Sequence, residues 1–483
     1  MNEKAGAQIS KKAFLQSFFI LLALMLLAGI LTRVIPAGAY QRVEIEGRTV
    51  LDPNSYQPVT RPDYPVWRWF TAPFEVLAGP DALILITILV FILLVSAAFA
   101  VLDKTGILAA ALFSIVRSFG SRKYILLPIV TLFFMLMGAF FGLFEEILPL
   151  VPLLIALSYS LGWDALVGLG MSIFAANMGF SAAVTNPFTI GVAQRLAGLP
   201  LFSGATFRLP IFLAIYLALT FFLLRYAKRI EQVPQASLLW GEDLAERNKY
   251  NTNPTLPNTT SHPHLRAASI WFISFVLLIL CVLFSASFIP AISDYSLPIV
   301  GILFFIGGLG AGILSKPERG VISQALLEGL AGMAPGIPLI LMAAAIQFII
   351  RSGSVMDTIL HSAAGLFQSA GPLSAAYLIF GLALLLEFFI GSAGAKAILM
   401  MPILLPLADL VGVTRQVTVL AYCFGDGFSN LAYPTNPVLL IALGLAGVRY
   451  GRWMKWSAPL WLAVLGITAF FLWLGVKIQY GPF

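Results

Sequence analysis

The chain has 483 residues, 59% of them hydrophobic and 11% charged, where an ordinary soluble domain carries roughly 25% charged residues. No soluble core could hide so much apolar surface, so lipid is the solvent for most of the protein. The formal charge of +7 sits in good part beside apolar runs, at Lys11, Lys12, Arg225, Lys228 and Arg229, which suits orientation signals and lipid headgroups rather than nucleic acid.

Apolar segments are predicted at about 14–37, 82–102, 124–142, 163–184 and 207–227, then at about 267–289, 295–314, 332–350, 372–390, 415–430 and 455–477. The first follows basic residues and precedes Ala37-Gly38-Ala39, imitating a signal peptide. Its run from Phe14 to Ile35 exceeds the roughly 7–15 residues of a signal core, so it is predicted as the first membrane helix. Gln41 to Pro65 reads as an extramembrane loop and Glu231 to Arg266 as a polar linker. Gly106 to Ser121 is too short to span and is expected at the interface. Cys281 and Cys423 lie far apart in apolar runs and read as small core residues. His262 and His264 fall in the linker and His361 stands alone, so no zinc-type cluster and no resident cofactor is expected.

An internal repeat organises the chain. Pro152 and Pro402, Gly162 and Gly412, Phe174 and Phe424, and the triplets Thr185-Asn186-Pro187 and Thr435-Asn436-Pro437 are all related by one offset of 250 positions. With Gly106 to Ser121 interfacial, each half crosses an odd number of times, and the halves are inverted. The expected fold is an all-α integral membrane protein of two inverted repeats, each with spanning helices, a re-entrant hairpin and a broken helix. The first repeat is 1–230, with its hairpin at about 138–160 and broken helix at about 163–199. The linker is 231–266, and the second repeat is 267–483, with hairpin and broken helix at about 388–410 and 415–448.

The hairpins are read from Gly138-Ala-Phe-Phe-Gly142 leading through Glu145 and Glu146 to Pro149 and Pro152, and from Gly391-Ser392-Ala-Gly394-Ala-Lys396 leading to Pro402 and Pro406. Glycine frees the backbone and proline removes a donor, so the chain can turn back within the membrane. Irregular backbone at that depth survives only against protein or a wet cavity, which makes these stretches site markers. Gly179-Phe180-Ser181 before the first triplet, and Gly427-Phe428-Ser429-Asn430 before the second, should split spanning helices around unwound middles. Free N–H groups there attract a carboxylate and free carbonyls a cation.

Ionisable residues in these segments are Glu145, Glu146, Glu387, Lys396 and Asp426. Burying each costs at least about 2.5–3.5 kcal/mol, so function is the default reading. Glu145, Glu146, Lys396 and Asp426 are the candidates for ion coupling, with Glu387 a candidate for pairing with a neighbouring helix. Adjacent Glu145 and Glu146 either carry a proton or a coupling cation between them, or lie at the interface without a role.

Gly142-Leu-Phe-Glu-Glu-Ile-Leu-Pro, with Pro402-Ile-Leu-Leu-Pro-Leu-Ala-Asp-Leu-Val-Gly-Val-Thr-Arg-Gln-Val and Phe424-Gly-Asp-Gly-Phe-Ser-Asn, resembles the YfcC-type branch of the four-carbon dicarboxylate anaerobic carrier family. The resemblance implies the ion transporter superfamily, a scaffold with a mobile transport domain, and elevator-type alternating access in the cell's inner (plasma) membrane. It implies that Ser392, Gly394, Thr185, Asn186, Thr435 and Asn436 form the site, to which the adjoining motifs add Ser181 and Asn430 as candidates. It further implies Na+ or H+ as coupling ion, a homodimer, and as solute either a dicarboxylate or a basic amino acid such as arginine or ornithine. The Thr-Asn-Pro of both unwound segments departs from the Ser-, Gly- and Thr-rich pattern expected, and leaves those two solutes open. An embedded enzyme would need a catalytic cluster, and no His stands near either hairpin. A channel would need a continuous polar path. The expected function is ion-coupled secondary transport or exchange of a small carboxylate-bearing solute.

Overall fold

A computed structural model describes residues 11–45, 48–52, 54–80, 82–108, 110, 122–243, 263–286, 289 and 295–481. Most of Gly106 to Ser121, and 244–262 of the linker, lie outside these residues. Among the described residues ten helices are long and apolar enough to cross a membrane, about 20 residues being needed at 1.5 Å rise each.

The chain opens with α1 (Lys11–Val34), then two small antiparallel ladders pairing β1 (Gly38–Ala39) with β4 (Gln57–Pro58) and β2 (Arg42–Ile45) with β3 (Arg48–Leu51). The short α2 (Arg68–Glu75) leads to α3 (Ala82–Lys104) and α4 (Lys123–Leu136), the latter extended by a π-helical turn to Phe141. α5 (Val151–Ser160) is the second arm of the first hairpin. The first broken helix comprises α6 (Ala165–Leu169), a π turn (Gly170–Phe174), α7 (Ala175–Ala182), and, after a break, a second π turn and α8 (Val192–Leu196). α9 (Ala205–Gln232) ends the first half.

The second half runs α10 (Pro263–Ala286), α11 (Ser296–Leu314), α12 (Val321–Met333), α13 (Gly336–Ser352) and α14 (Met356–Gly365). It continues with α15 (Pro372–Glu387), the hairpin arm α16 (Ala393–Leu410), the broken helix α17 (Arg415–Gly427) and α18 (Pro437–Ala446), and α19 (Tyr450–Lys477).

Two groups of helices emerge from the packing. α3, α11 and α12 lie against one another, as do α10 with α11 and α1 with α13. Ser96 donates to the Gly329 carbonyl at 2.8 Å and Lys104 pairs with Glu328 at 2.6 Å, tying α3 to α12. In the second group α4 packs on α7, α15 on α17, α7 on α17 and α9 on α19. Residues 165–184 are all buried, whereas α10 exposes Ile270, Ile273 and Leu277 as a lipid-facing helix should.

Close helix crossings depend on glycine. A Cβ on Gly138 would lie 2.6 Å from the Phe180 nitrogen, and one on Gly427 would lie 2.7 Å from the Ser181 Cα, so α4 meets α7, and α17 meets α7, backbone to backbone.

The 250-residue offset recurs in local geometry. Gly162 and Gly412 both adopt left-handed φ, of 89° and 77°, at the end of a hairpin arm. Asp164 and Thr414 then cap the next helix, accepting from the Val167 and Val417 nitrogens at 3.1 and 3.3 Å. Asn186 and Asn436 cap the helices that open at Pro187 and Pro437.

Candidate solute and ion site

The first break begins at Ala183, a non-glycine residue at φ 46° that ends α7. Beyond it Thr185 turns to the hairpin. Its nitrogen donates to the Ala139 carbonyl and its hydroxyl to the Phe140 carbonyl, both at 3.0 Å. The unwound segment thus satisfies carbonyls that the hairpin turn leaves open. Asn186 is engaged on both sides: its amide donates to the Phe180 carbonyl at 3.2 Å, and its oxygen accepts from the Phe188 and Thr189 nitrogens at 2.9 and 3.4 Å.

The second break shares the asparagine cap. Asn436 caps Val438 at 2.9 Å, but its amide donates to the side-chain oxygen of Asn430 at 3.1 Å. Asn436→Ala removes both bonds and is expected to cost about 1–2 kcal/mol, the range of a lost cap. Thermal denaturation of the purified protein in detergent measures it, and a melting temperature equal to wild type would contradict the cap.

Behind the second hairpin three ionisable side chains meet. Lys396, on the first turns of α16, is fully buried and hydrogen-bonds to Glu387 at the end of α15 and, at 2.7 Å, to Asp426 on α17. Glu387 and Asp426 are buried too, and the second Asp426 oxygen has no hydrogen-bond partner. Two buried carboxylates therefore share one buried ammonium. Glu387, read from the sequence as a lesser candidate, is an equal member of this cluster.

Of the other predicted residues, Ser181 donates back to the Asn177 carbonyl at 2.7 Å and is buried where Gly427 crosses. Ser392 is exposed at the hairpin tip and caps α16 by accepting from the Ala395 nitrogen at 3.4 Å; a Cβ on Gly394 would meet nothing within 4 Å. Thr435 is buried and lines a cavity of about 130 Å³. Glu146 accepts from the Phe144 nitrogen at 3.3 Å and from the Ser296 hydroxyl of α11 at 2.9 Å. Glu145 is exposed. Among the described residues neither glutamate hydrogen-bonds to Lys396, so the structure does not bring the four ion-coupling candidates into one cluster.

Two polar features near the breaks and the second hairpin escaped the sequence reading. Gln347 and Arg351 of α13 line the 130 Å³ cavity and also a cleft of about 550 Å³ bounded by β1, α14 and the second hairpin. Their signal was available as a polar pair at i and i+4 in an otherwise apolar helix. Arg208 is fully buried and bonds to backbone carbonyls, including that of Val184 at 3.0 Å beside the first break.

Residues 14–477 match the family described as C4-dicarboxylate anaerobic carrier, DcuC. The chain belongs to the DcuC family. Within it, YfcC of Escherichia coli K12 is 30% identical over 95% of this chain and 96% of its own length. An uncharacterised protein of Haemophilus influenzae is 27% identical over 78% of this chain and 72% of its own. Two solved transporters align at a TM-score of 0.41: YdaH of Alcanivorax borkumensis, 19% identical over 97% of this chain and 100% of that one, and MtrF of Neisseria gonorrhoeae, 18% identical over 94% and 93%. This DcuC-family chain is a multi-pass membrane transporter of the YfcC type.

Proposed function

We propose that this transporter is an ion-coupled secondary carrier, moving a small carboxylate-bearing solute against an ion gradient or in exchange, with the hairpins and broken helices travelling as one elevator-like body. The observation that carries the reading is the buried cluster of Glu387, Lys396 and Asp426. It joins three elements, the end of α15, the hairpin arm α16 and the broken helix α17, at the place where a moving body would have to bind its ion.

With one ammonium for two carboxylates, the cluster is one negative charge in excess. A lone buried charge costs several kcal/mol, so a proton or a small cation has to join it. The unpartnered Asp426 oxygen is an acceptor waiting in that position. Binding of Na+ or H+ there would neutralise the body before it crosses the low-dielectric barrier, which is the physical content of coupling. Neither relation between the repeats, inverted or parallel, alters this argument, but inversion supplies the two alternating halves that an elevator needs.

The family's description names a C4-dicarboxylate, and YfcC carries the provisional name of basic amino acid antiporter. Both solutes bear a carboxylate, and that shared group is the part of the substrate proposed here. Uptake of labelled succinate and arginine into proteoliposomes, under imposed Na+ and H+ gradients and with internal solute, tests the function. Asp426→Asn is expected to reduce gradient-driven accumulation at least tenfold. Full accumulation by that variant would remove the cluster from the coupling step.

A further inference from the structure

The second broken helix lies between the arms of its own hairpin, and a tyrosine ties each arm to it. On one side a Cβ on Gly425 would lie 2.9 Å from the Leu384 nitrogen, so α17 meets α15 backbone to backbone. There Tyr433, from the break itself, donates its hydroxyl to the Leu384 carbonyl at 3.1 Å. On the other side Tyr422, fully buried on α17, donates its hydroxyl to the carbonyl of Ala393, the first residue of α16 and the neighbour of Ser392 at the tip.

Tyr422 and Asp426 stand four residues apart on α17, and Ala393 and Lys396 three apart on α16, so each pair shares a helix face. The two faces are joined twice, by Asp426 to Lys396 at 2.7 Å and by Tyr422 to Ala393. These ties differ in kind. Lysine carries its ammonium on a flexible four-carbon stem, which can hold Glu387 and Asp426 over a range of helix positions. Tyrosine has a rigid ring with two torsions, and here it bonds to main chain. A small shift of α17 is absorbed by Lys396 but passed by Tyr422 to the backbone of the tip.

The charge of the cluster supplies a reason for such a shift. Glu387 on α15 and Asp426 on α17 face one ammonium, and among the described residues the second Asp426 oxygen has no hydrogen-bond partner. The excess negative charge pushes the two helices apart, and a cation beside Asp426 removes that repulsion.

We propose that Tyr422 is the positioning residue that ties the hairpin tip to the ion cluster, so that a cation joining Glu387, Lys396 and Asp426 draws the tip closed. This rests on the reading of the cluster as the ion site of a carboxylate carrier. The tip carries Ser392 and Gly394, so closure there is how ion binding would be felt by the solute.

The test uses full-length protein carrying Cys281→Ser and Ala395→Cys, the latter an exposed position in the first turn of α16. Labelling by a negatively charged thiol reagent is followed in detergent, with NaCl exchanged for choline chloride at equal ionic strength. A second series varies pH, each rate divided by that of glutathione with the same reagent. Na+ or H+ is expected to slow labelling at least fivefold while Tyr422 is present, and less than twofold in Tyr422→Phe. Tyr433→Phe, which loses a hydroxyl tie to the other arm, should keep the fivefold effect. Asp426→Asn, which removes the excess charge and leaves Tyr422 in place, should label slowly with or without the ion. Undiminished slowing in Tyr422→Phe, equal loss of it in Tyr433→Phe, or fast labelling of Asp426→Asn overturns the tie. Uptake of labelled succinate and arginine into proteoliposomes separates the two ideas. Gradient-driven uptake by a protein whose labelling ignores Tyr422 or both ions sinks the tie alone, whereas the absence of both ion-slowed labelling and uptake sinks the carrier reading with it.

Discussion

Lys396→Met is expected to destabilise the protein by about 3–5 kcal/mol, the cost of breaking a buried ionic cluster by removing one partner. The side chain is fully buried and touches both Glu387 and Asp426, so its loss leaves two acidic groups side by side with no counter-charge. Volume is not at issue, because methionine fills nearly the space of the lysine stem. The companion experiment is charge removal at all three positions, Lys396→Met with Glu387→Gln and Asp426→Asn. Burying neutral side chains of similar size is often no worse than burying the ions, so the triple variant should regain most of the lost melting temperature. It should not regain gradient-driven uptake, since no excess charge is left to recruit an ion. A single Lys396→Met variant as stable as wild type would mean that the three groups do not act as a unit, and a triple variant as unstable as the single would place the loss in packing.

Much of this architecture is written in residues with restricted roles. Glycine marks left-handed turns and close crossings, so Gly412 and Thr435-Asn436-Pro437 mark the end of α16 and the break before α18, and Gly162 and Thr185-Asn186-Pro187 mark the same points 250 positions earlier, whereas Pro402 sits inside an unbroken α16. Ionisable residues in apolar runs stand out for the same reason, which is how Lys396 and Asp426 were conspicuous. What a linear reading lacks is the return of the chain. Glu387 is separated from Lys396 by the hairpin tip, and only the turn at 388–392 brings the two together. The spending of Asn186 and Asn436 on caps is likewise a matter of local backbone direction, because the same Asn-Pro pair in a straight kinked helix would leave both side chains available. Gln347 and Arg351 lie in a helix with no interruption to draw attention, and they border a hairpin that arrives only after α14 and α15.

Arg208→Met is expected to be the most damaging change in the first half, with a loss of about 3 kcal/mol or more, since each buried polar group left unsatisfied costs about 1–3 kcal/mol. Arg208 is fully buried, among the described residues it pairs with no carboxylate, and its guanidinium donates to the carbonyls of Val184 at 3.2 and 3.0 Å, Phe202 at 3.1 Å and Ser203 at 2.8 Å, and to the Tyr480 hydroxyl at 3.1 Å. Val184 immediately precedes Thr185 and Asn186, so the arginine holds the open carbonyl of the broken helix at the point where the helix cannot satisfy it. Tyr480 in turn donates to the Gly204 carbonyl at 2.7 Å, which ties the end of the second half to the start of α9. Lysine at this position keeps the charge but has no planar fork to span three carbonyls, so Arg208→Lys should recover only part of the stability. The pair of variants separates geometry from charge. Equal melting temperatures for Arg208→Lys and wild type would show that a point charge is enough, whereas equal losses in both variants would assign the whole effect to the five donors and to the carbonyls they hold.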